Sequence, residues 1–107
     1  MGLDMRILKC KSKLQLTGDE IDWAQVEEVW YARKFWDMQR EMSFLKDYEN
    51  GDFIPLTREN LEEMLTFATH NLDYFGTFNT VIPLCNVLYN LDTWEEYGFH
   101  LYYEADW

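Results

Sequence analysis

The residues of this chain best suited to catalysis are few and scattered. His70 and His100 are its two histidines, and Cys10 and Cys85 its two cysteines. Cys85 with one of the histidines would form a nucleophile–base pair only if folding brought them together, and no local spacing asks for that. The chain has no glycine-rich phosphate loop, no G-x-S-x-G, no H-E-x-x-H and no C-x-x-C. Glu27–Glu28, Glu62–Glu63 and Glu95–Glu96 are adjacent acidic pairs, but neighbours on a helix point about a hundred degrees apart, so none is a ready-made two-carboxylate site. They read as solvated faces. Asp47, Glu49 and Asp52 flank Asn50–Gly51 without the ligand order of an EF-hand. The sequence therefore points away from an enzyme, and no cofactor or metal is called for. Both cysteines read as buried free thiols, which suits a reducing compartment.

What stands out is charge. Net charge is −11, from 20 acidic and 9 basic residues. The first sixteen positions hold Arg6, Lys9, Lys11 and Lys13 against Asp4 alone, while the last nineteen, from Tyr89, hold Asp92, Glu95, Glu96, Glu104 and Asp106 with no Lys or Arg. Such a body repels a nucleic-acid backbone and attracts basic surfaces, including the nucleic-acid channels of other proteins. Five Trp, seven Tyr and seven Phe in 107 residues exceed what so small a core holds comfortably. Some rings are expected at the surface, where Trp and Tyr often anchor contacts.

The length fits a single domain spanning residues 1–107. With 48% hydrophobic residues it can build a core without a metal or disulfide staple. No stretch reaches the roughly 18 apolar residues of a membrane span. The opening residues lack the apolar core of a signal peptide. Arg6 stands where a myristoylation signal needs Ser or Thr.

The elements follow from patterning. Met5–Leu14 alternates loosely, with Leu8, Cys10, Ser12 and Leu14 on one side and Arg6, Ile7, Lys9, Lys11 and Lys13 on the other. Its lysines suit an edge strand. Thr17 and Glu20 have capping-box spacing, and the chain from about Glu20 to Lys46, with Trp23, Val26, Val29, Trp30, Trp36, Met38, Met42 and Leu45, predicts a long helix, kinked or broken near Tyr31–Phe35. Asn50–Gly51–Asp52 is a turn, and Phe53–Ile54 a short extended piece able to join a sheet. Thr57 caps a second helix carrying Leu61, Met64, Leu65, Ala68 and Leu72 at helical spacing, with Gly76 its expected terminator. Thr80 is the expected cap of a third helix, with Pro83 in its first turn and Leu84, Val87, Leu88 and Leu91 buried. After Tyr97–Gly98, Phe99–Asp106 alternates, with Phe99, Leu101 and Tyr103 inward and His100, Tyr102, Glu104 and Asp106 outward. The reading is an α+β domain: about three helices on a small antiparallel sheet pairing the N- and C-terminal strands, the basic first strand beside the acidic last one.

Three tracts together resemble a loose family of small phage-encoded proteins: the opening Met1-Gly2-Leu3-Asp4-Met5, Trp30-Tyr31-Ala32-Arg33-Lys34 leading to Trp36, and the ending Tyr102-Tyr103-Glu104-Ala105-Asp106-Trp107. Pro55-Leu56-Thr57-Arg58-Glu59-Asn60-Leu61 extends the likeness into the middle helix. The lysine-rich first strand and Pro83 depart from it. The resemblance implies a bacteriophage or prophage origin and action in the host bacterial cytoplasm. It carries no catalytic residue. Small acidic phage proteins often inhibit host systems such as CRISPR effectors and restriction enzymes. The expectation is an inhibitor, foremost an anti-CRISPR, that blocks a basic nucleic-acid-binding surface. Its contact residues would be Asp92, Trp94, Glu95, Glu96, Tyr102, Glu104, Asp106 and Trp107. The alternatives are a self-associating phage accessory protein and a small metal-dependent enzyme.

Overall fold

The computed structural model describes residues 2–11, 26–33, 35–46, 49–71 and 77–107. Among these, three α-helices pack against a four-stranded antiparallel sheet, as patterning predicted. Strands β1 (Asp4–Cys10), β2 (Glu27–Arg33), β3 (Ile54–Pro55) and β4 (His100–Asp106) lie in the order β2-β1-β4-β3. Helices α1 (Trp36–Glu41), α2 (Arg58–Thr69) and α3 (Ile82–Glu96) come between β2 and β4 in the chain. The Thr17–Glu20 capping box, Trp23, Ser12, Leu14, Leu72 and Gly76 lie outside the described residues.

The pairing of the two terminal strands is as expected: Arg6 faces Glu104 and Ile7 faces Tyr103 across the β1–β4 ladder. Its surroundings differ. β1 is not an edge strand, because β2 takes its other side. β4 is not half-buried, because β3 closes its second edge and residues from Leu101 to Ala105 are buried on both faces. Tyr102 and Glu104, expected outward, are therefore inside. The extended piece after the Asn50–Gly51–Asp52 turn supplies β3. Gly51 there has φ +86°, a conformation costly for any residue with a Cβ. Pro55, lacking an N–H, fits an edge strand.

The largest departure is β2, read as helix from its sequence. Val26, Val29 and Trp30 satisfy a helical stripe, but Val29-Trp30-Tyr31 is also strand-forming in character. Tertiary pairing decides: Trp30 and Ala32 turn into the core while Tyr31 and Arg33 face out. Ile7 pairs with Trp30 and Leu8 with Glu28, so Val29 is the extra residue of a β-bulge. The expected helix survives only as α1 and a 3₁₀ turn, Ser43–Leu45. Met42 between them is extended, and the Glu63 carboxylate accepts from both the Ser43 N–H (2.6 Å) and its hydroxyl (2.7 Å), fixing the break.

The helix-facing side of the sheet carries Met5, Ile7, Trp30, Ala32, Leu101, Tyr103 and Ala105, packed on Leu61, Met64 and Ala68 of α2 and Leu84, Val87 and Leu91 of α3. The Tyr103 hydroxyl donates to the Gln39 side-chain oxygen in this core, and the Trp30 indole donates to the Thr80 carbonyl. Thr80 is thus buried and does not cap α3. A π-helical turn, Thr77–Val81, runs directly into that helix, with Pro83 in its first turn as expected. A smaller cluster of Leu8, Cys10, Phe53 and Tyr102 lies on the outer side of the sheet, joined by half-buried Val26. Cys10 is buried, but Cys85 is exposed on α3, correcting its expected burial. Among the described residues no helix is long and apolar enough to cross a membrane.

Thr57 caps α2 in a reciprocal box: its hydroxyl accepts from the Asn60 N–H, and the Asn60 side chain accepts from the Thr57 N–H. Thr57→Ala is expected to lower stability by about 1 kcal/mol. Leu61→Ala, which empties a fully buried position, is expected to cost about 2–5 kcal/mol. Urea unfolding at unchanged slope measures both, and a smaller loss for Leu61→Ala than for Thr57→Ala would contradict this core.

Candidate interaction surface

The eight contact residues expected from sequence do not form one patch. Asp92, Glu95 and Glu96 are exposed on α3, on the helix side of the sheet. Glu104 and Asp106 lie on the opposite, outer side, where strand alternation places them away from Tyr103. Trp107 follows β4. It is 38% exposed and stacks edge-on against Trp36 at 6.0 Å. Asn50 holds its backbone with two hydrogen bonds, donating to its carbonyl and accepting from its N–H.

On the outer side the carboxylates are engaged internally. Arg6 is the hub: Nη1 lies 2.9 Å from Glu104 and 3.1 Å from Asp106, and Nε 3.3 Å from Glu28. The Tyr31 ring lies against the same guanidinium at 5.7 Å. The Tyr31 hydroxyl donates to Asp4 at 2.6 Å, and Arg33 pairs with Asp4 at 3.1 Å. Burial and a carboxyl–carboxylate hydrogen bond with Asp106 push Glu104 up to about 7, although Arg6 opposes the shift. Asp4 is held below the usual carboxylate range, first by the Tyr31 hydroxyl and then by Arg33 and Arg6. Glu104, 4% exposed, and Tyr102, equally buried, have no surface to offer a partner.

Trp94 is also withdrawn. Gly98, at φ +86°, ends α3, with its N–H bonded to the Glu95 carbonyl and the Phe99 N–H to the Trp94 carbonyl. That closure brings Trp94 and Phe99 together around Lys9, whose ammonium lies 4.7 Å and 4.6 Å from the two ring centres and 2.8 Å from Glu27. Lys9 thus covers rings that would otherwise be available for contact.

The surface that does remain open is the outer face of the two-helix layer. Residues at helical spacing on α3, Ile82, Cys85, Tyr89, Asp92 and Glu96, oppose its buried Leu84–Val87–Leu91 stripe and are exposed. Tyr89 is 86% and Tyr97 70% exposed, more than any other large apolar side chain described. α2 extends the face. Arg58 bonds Asp92 at 2.7 Å, and the charges of Glu62 and Glu95 also stabilise its guanidinium. Glu59, Glu62, Asp92, Glu95 and Glu96 are exposed here, and Glu63 partly so. Sequence reasoning set Glu62 and Glu63 aside and missed Tyr89 and Tyr97. The signal was present in the polar spacing opposite the apolar stripe of each helix. His70 is exposed at the end of α2 and His100 is half-buried in β4. No group of three or more His, Cys, Asp or Glu among the described residues is placed to hold a metal ion.

Glu104 gives a signed pH dependence. Its folded value, about 7, lies above its ordinary 4.5. Its favourable contribution is therefore complete below about pH 4.5 and is lost as pH rises through about 7. Asp4 works in the opposite sense, contributing at neutral pH and losing that contribution on acidification. Glu104→Gln should flatten the decline in stability between about pH 5 and about pH 8, seen in denaturation midpoints across that range. An unchanged slope in the variant would show that Glu104 does not carry it.

Compared with protein-family models, curated proteins and solved structures, the chain finds no match.

Proposed function

We propose that this chain is a binding protein whose acidic two-helix face docks on a basic surface of another macromolecule, as a phage-encoded inhibitor occupying the nucleic-acid site of a host defence protein such as a CRISPR effector. One observation carries the reading: Glu59, Glu62, Asp92, Glu95 and Glu96 are exposed on the two packed helices, Tyr89 and Tyr97 are exposed on and just after α3, and Arg58 is the cation on which Asp92, Glu62 and Glu95 act. Clustered carboxylates attract and orient a basic partner, and exposed tyrosines supply contact area at little entropic cost. The same charge opposes nucleic acid itself, whose phosphates it would repel. It also opposes self-association through this face, since two copies would bring like charges together.

The mechanism is occupation. Carboxylates presented from two helices stand where phosphates would lie, and the tyrosines close over the contact to exclude water. Steering of this kind weakens as salt shortens the Debye length from about 10 Å at 0.1 M to about 3 Å at 1 M.

Tagged protein is expected to retain nucleic-acid-processing proteins from a bacterial lysate at low salt and release them as salt rises. The combined change Glu59→Gln, Glu95→Gln and Glu96→Gln, at exposed positions outside the core, should slow association at least tenfold while leaving thermal stability nearly unchanged. Capture that ignores both salt and these substitutions would remove the helix face from the account.

A further inference from the structure

Beside the acidic face, between the C-terminal half of α2 and the turn after α1, the surface opens into a recess of about 370 Å³. It is lined by Met42, Glu62, Glu63, Thr66, Phe67 and His70. Recesses that take small ligands begin at about this size. Its floor is apolar, made of buried Met42 and half-buried Phe67. Its rim is acidic. Glu63 already serves Ser43, as described above, but Glu62 is exposed and makes no hydrogen bond or ion pair with any other described residue.

We propose that this recess receives an arginine side chain of the basic partner. The inference rests on the acidic helix face being the contact surface, and it names the anchor there. An apolar floor beside an exposed carboxylate that makes no hydrogen bond among the described residues suits a side chain with an apolar stem and a delocalised cationic head. Arginine meets both demands: its methylenes lie on Met42 and Phe67, its guanidinium stacks on an aromatic ring, and two parallel N–H donors engage Glu62. Lysine, a compact and strongly hydrated charge, uses the ring and the fork geometry less well. The same face already shows the preference, since Arg58 sits among Glu62, Asp92 and Glu95 with a 2.7 Å bond to Asp92. Glu62 and Thr66 are four residues apart on the helix, so a cation at position 66 can reach the Glu62 carboxylate from within the chain.

The test uses the whole protein labelled with ¹⁵N and titrated with N-acetyl-arginine amide, its neutral citrulline counterpart and N-acetyl-lysine amide. Arginine is expected to shift the amide signals of Thr66, Phe67 and His70. Citrulline should bind about tenfold more weakly, and Glu62→Gln should weaken the arginine response by a similar factor. Thr66→Arg, at an exposed helical position, should fill the recess with the chain's own guanidinium and abolish the response without lowering the melting temperature. Equal responses to arginine and citrulline, shifts confined to the Tyr89–Tyr97 region, or no shift at all would each overturn the proposal. Salt-sensitive capture of basic proteins that persists unchanged in Thr66→Arg and Glu62→Gln would also overturn it, and would leave the acidic face standing.

Discussion

Antiparallel pairing of β1 with β4 joins residues as far apart as Asp4 and Asp106, and much of the rest of the molecule is arranged around that junction. Each of the two strands has a further neighbour, so β4 is enclosed on both edges and both faces. A carboxylate at position 104 has no water to face, and an unpaired charge there would be costly. Arg6, directly opposite, answers that constraint. Once Arg6 is committed, Asp106 and Glu28 gather around it, and Tyr31, Asp4 and Arg33 complete the outer surface. Of the acidic residues near the end of the sequence, Glu104 and Asp106 are thus the counter-charge of a basic strand.

Acidic residues consequently have two fates. On the sheet they are matched by Arg6, Arg33 and Lys9, and their charge is spent on cohesion. On α2 and α3, among the described residues, Arg58 alone stands against Glu59, Glu62, Asp92, Glu95 and Glu96, and the field extends outward. The surface pairs of the sheet, Lys9–Glu27 and Arg33–Asp4, contribute little to stability and act mainly by fixing register and orientation. The unmatched helix face costs some self-repulsion and projects a potential that a partner can read.

The features legible from sequence were those with local causes. The α2 cap needed only Thr57 and the residue three places on. The turn at Gly51 and the break at Gly98 needed only a residue tolerant of positive φ. The β1–β4 pairing was readable because charge and alternation agreed. β2 was not readable, since Val26, Val29 and Trp30 satisfy helical spacing as well as strand composition, and only pairing with β1 separates the two. The burial of Tyr102 and Glu104 depends on how many neighbours β4 acquires, which its own alternation does not encode. Trp94 was chosen for its indole, but Lys9, far away in sequence, covers that ring. Tyr89 and Tyr97 lay outside the expected contact residues. Their exposure follows from the same helical period that placed Leu84, Val87 and Leu91 inside.

The strand order β2-β1-β4-β3 sets a temporal problem as well as a spatial one. The two inner strands are the earliest and the latest of the described strands, so the sheet cannot grow by adding each new strand to a finished edge. While β4 is still being made, Leu3, Met5, Ile7 and Leu8 wait with one side of their backbone unpaired, and contacts of such long range close slowly. Lys9 and Lys11 at the end of that waiting strand are well placed as gatekeepers against premature association with other chains. In the finished molecule the Lys9 ammonium lies against the Trp94 and Phe99 rings. A side chain of the kind that guards a lone strand against wrong pairing is thus also the contact by which β1 holds the end of α3.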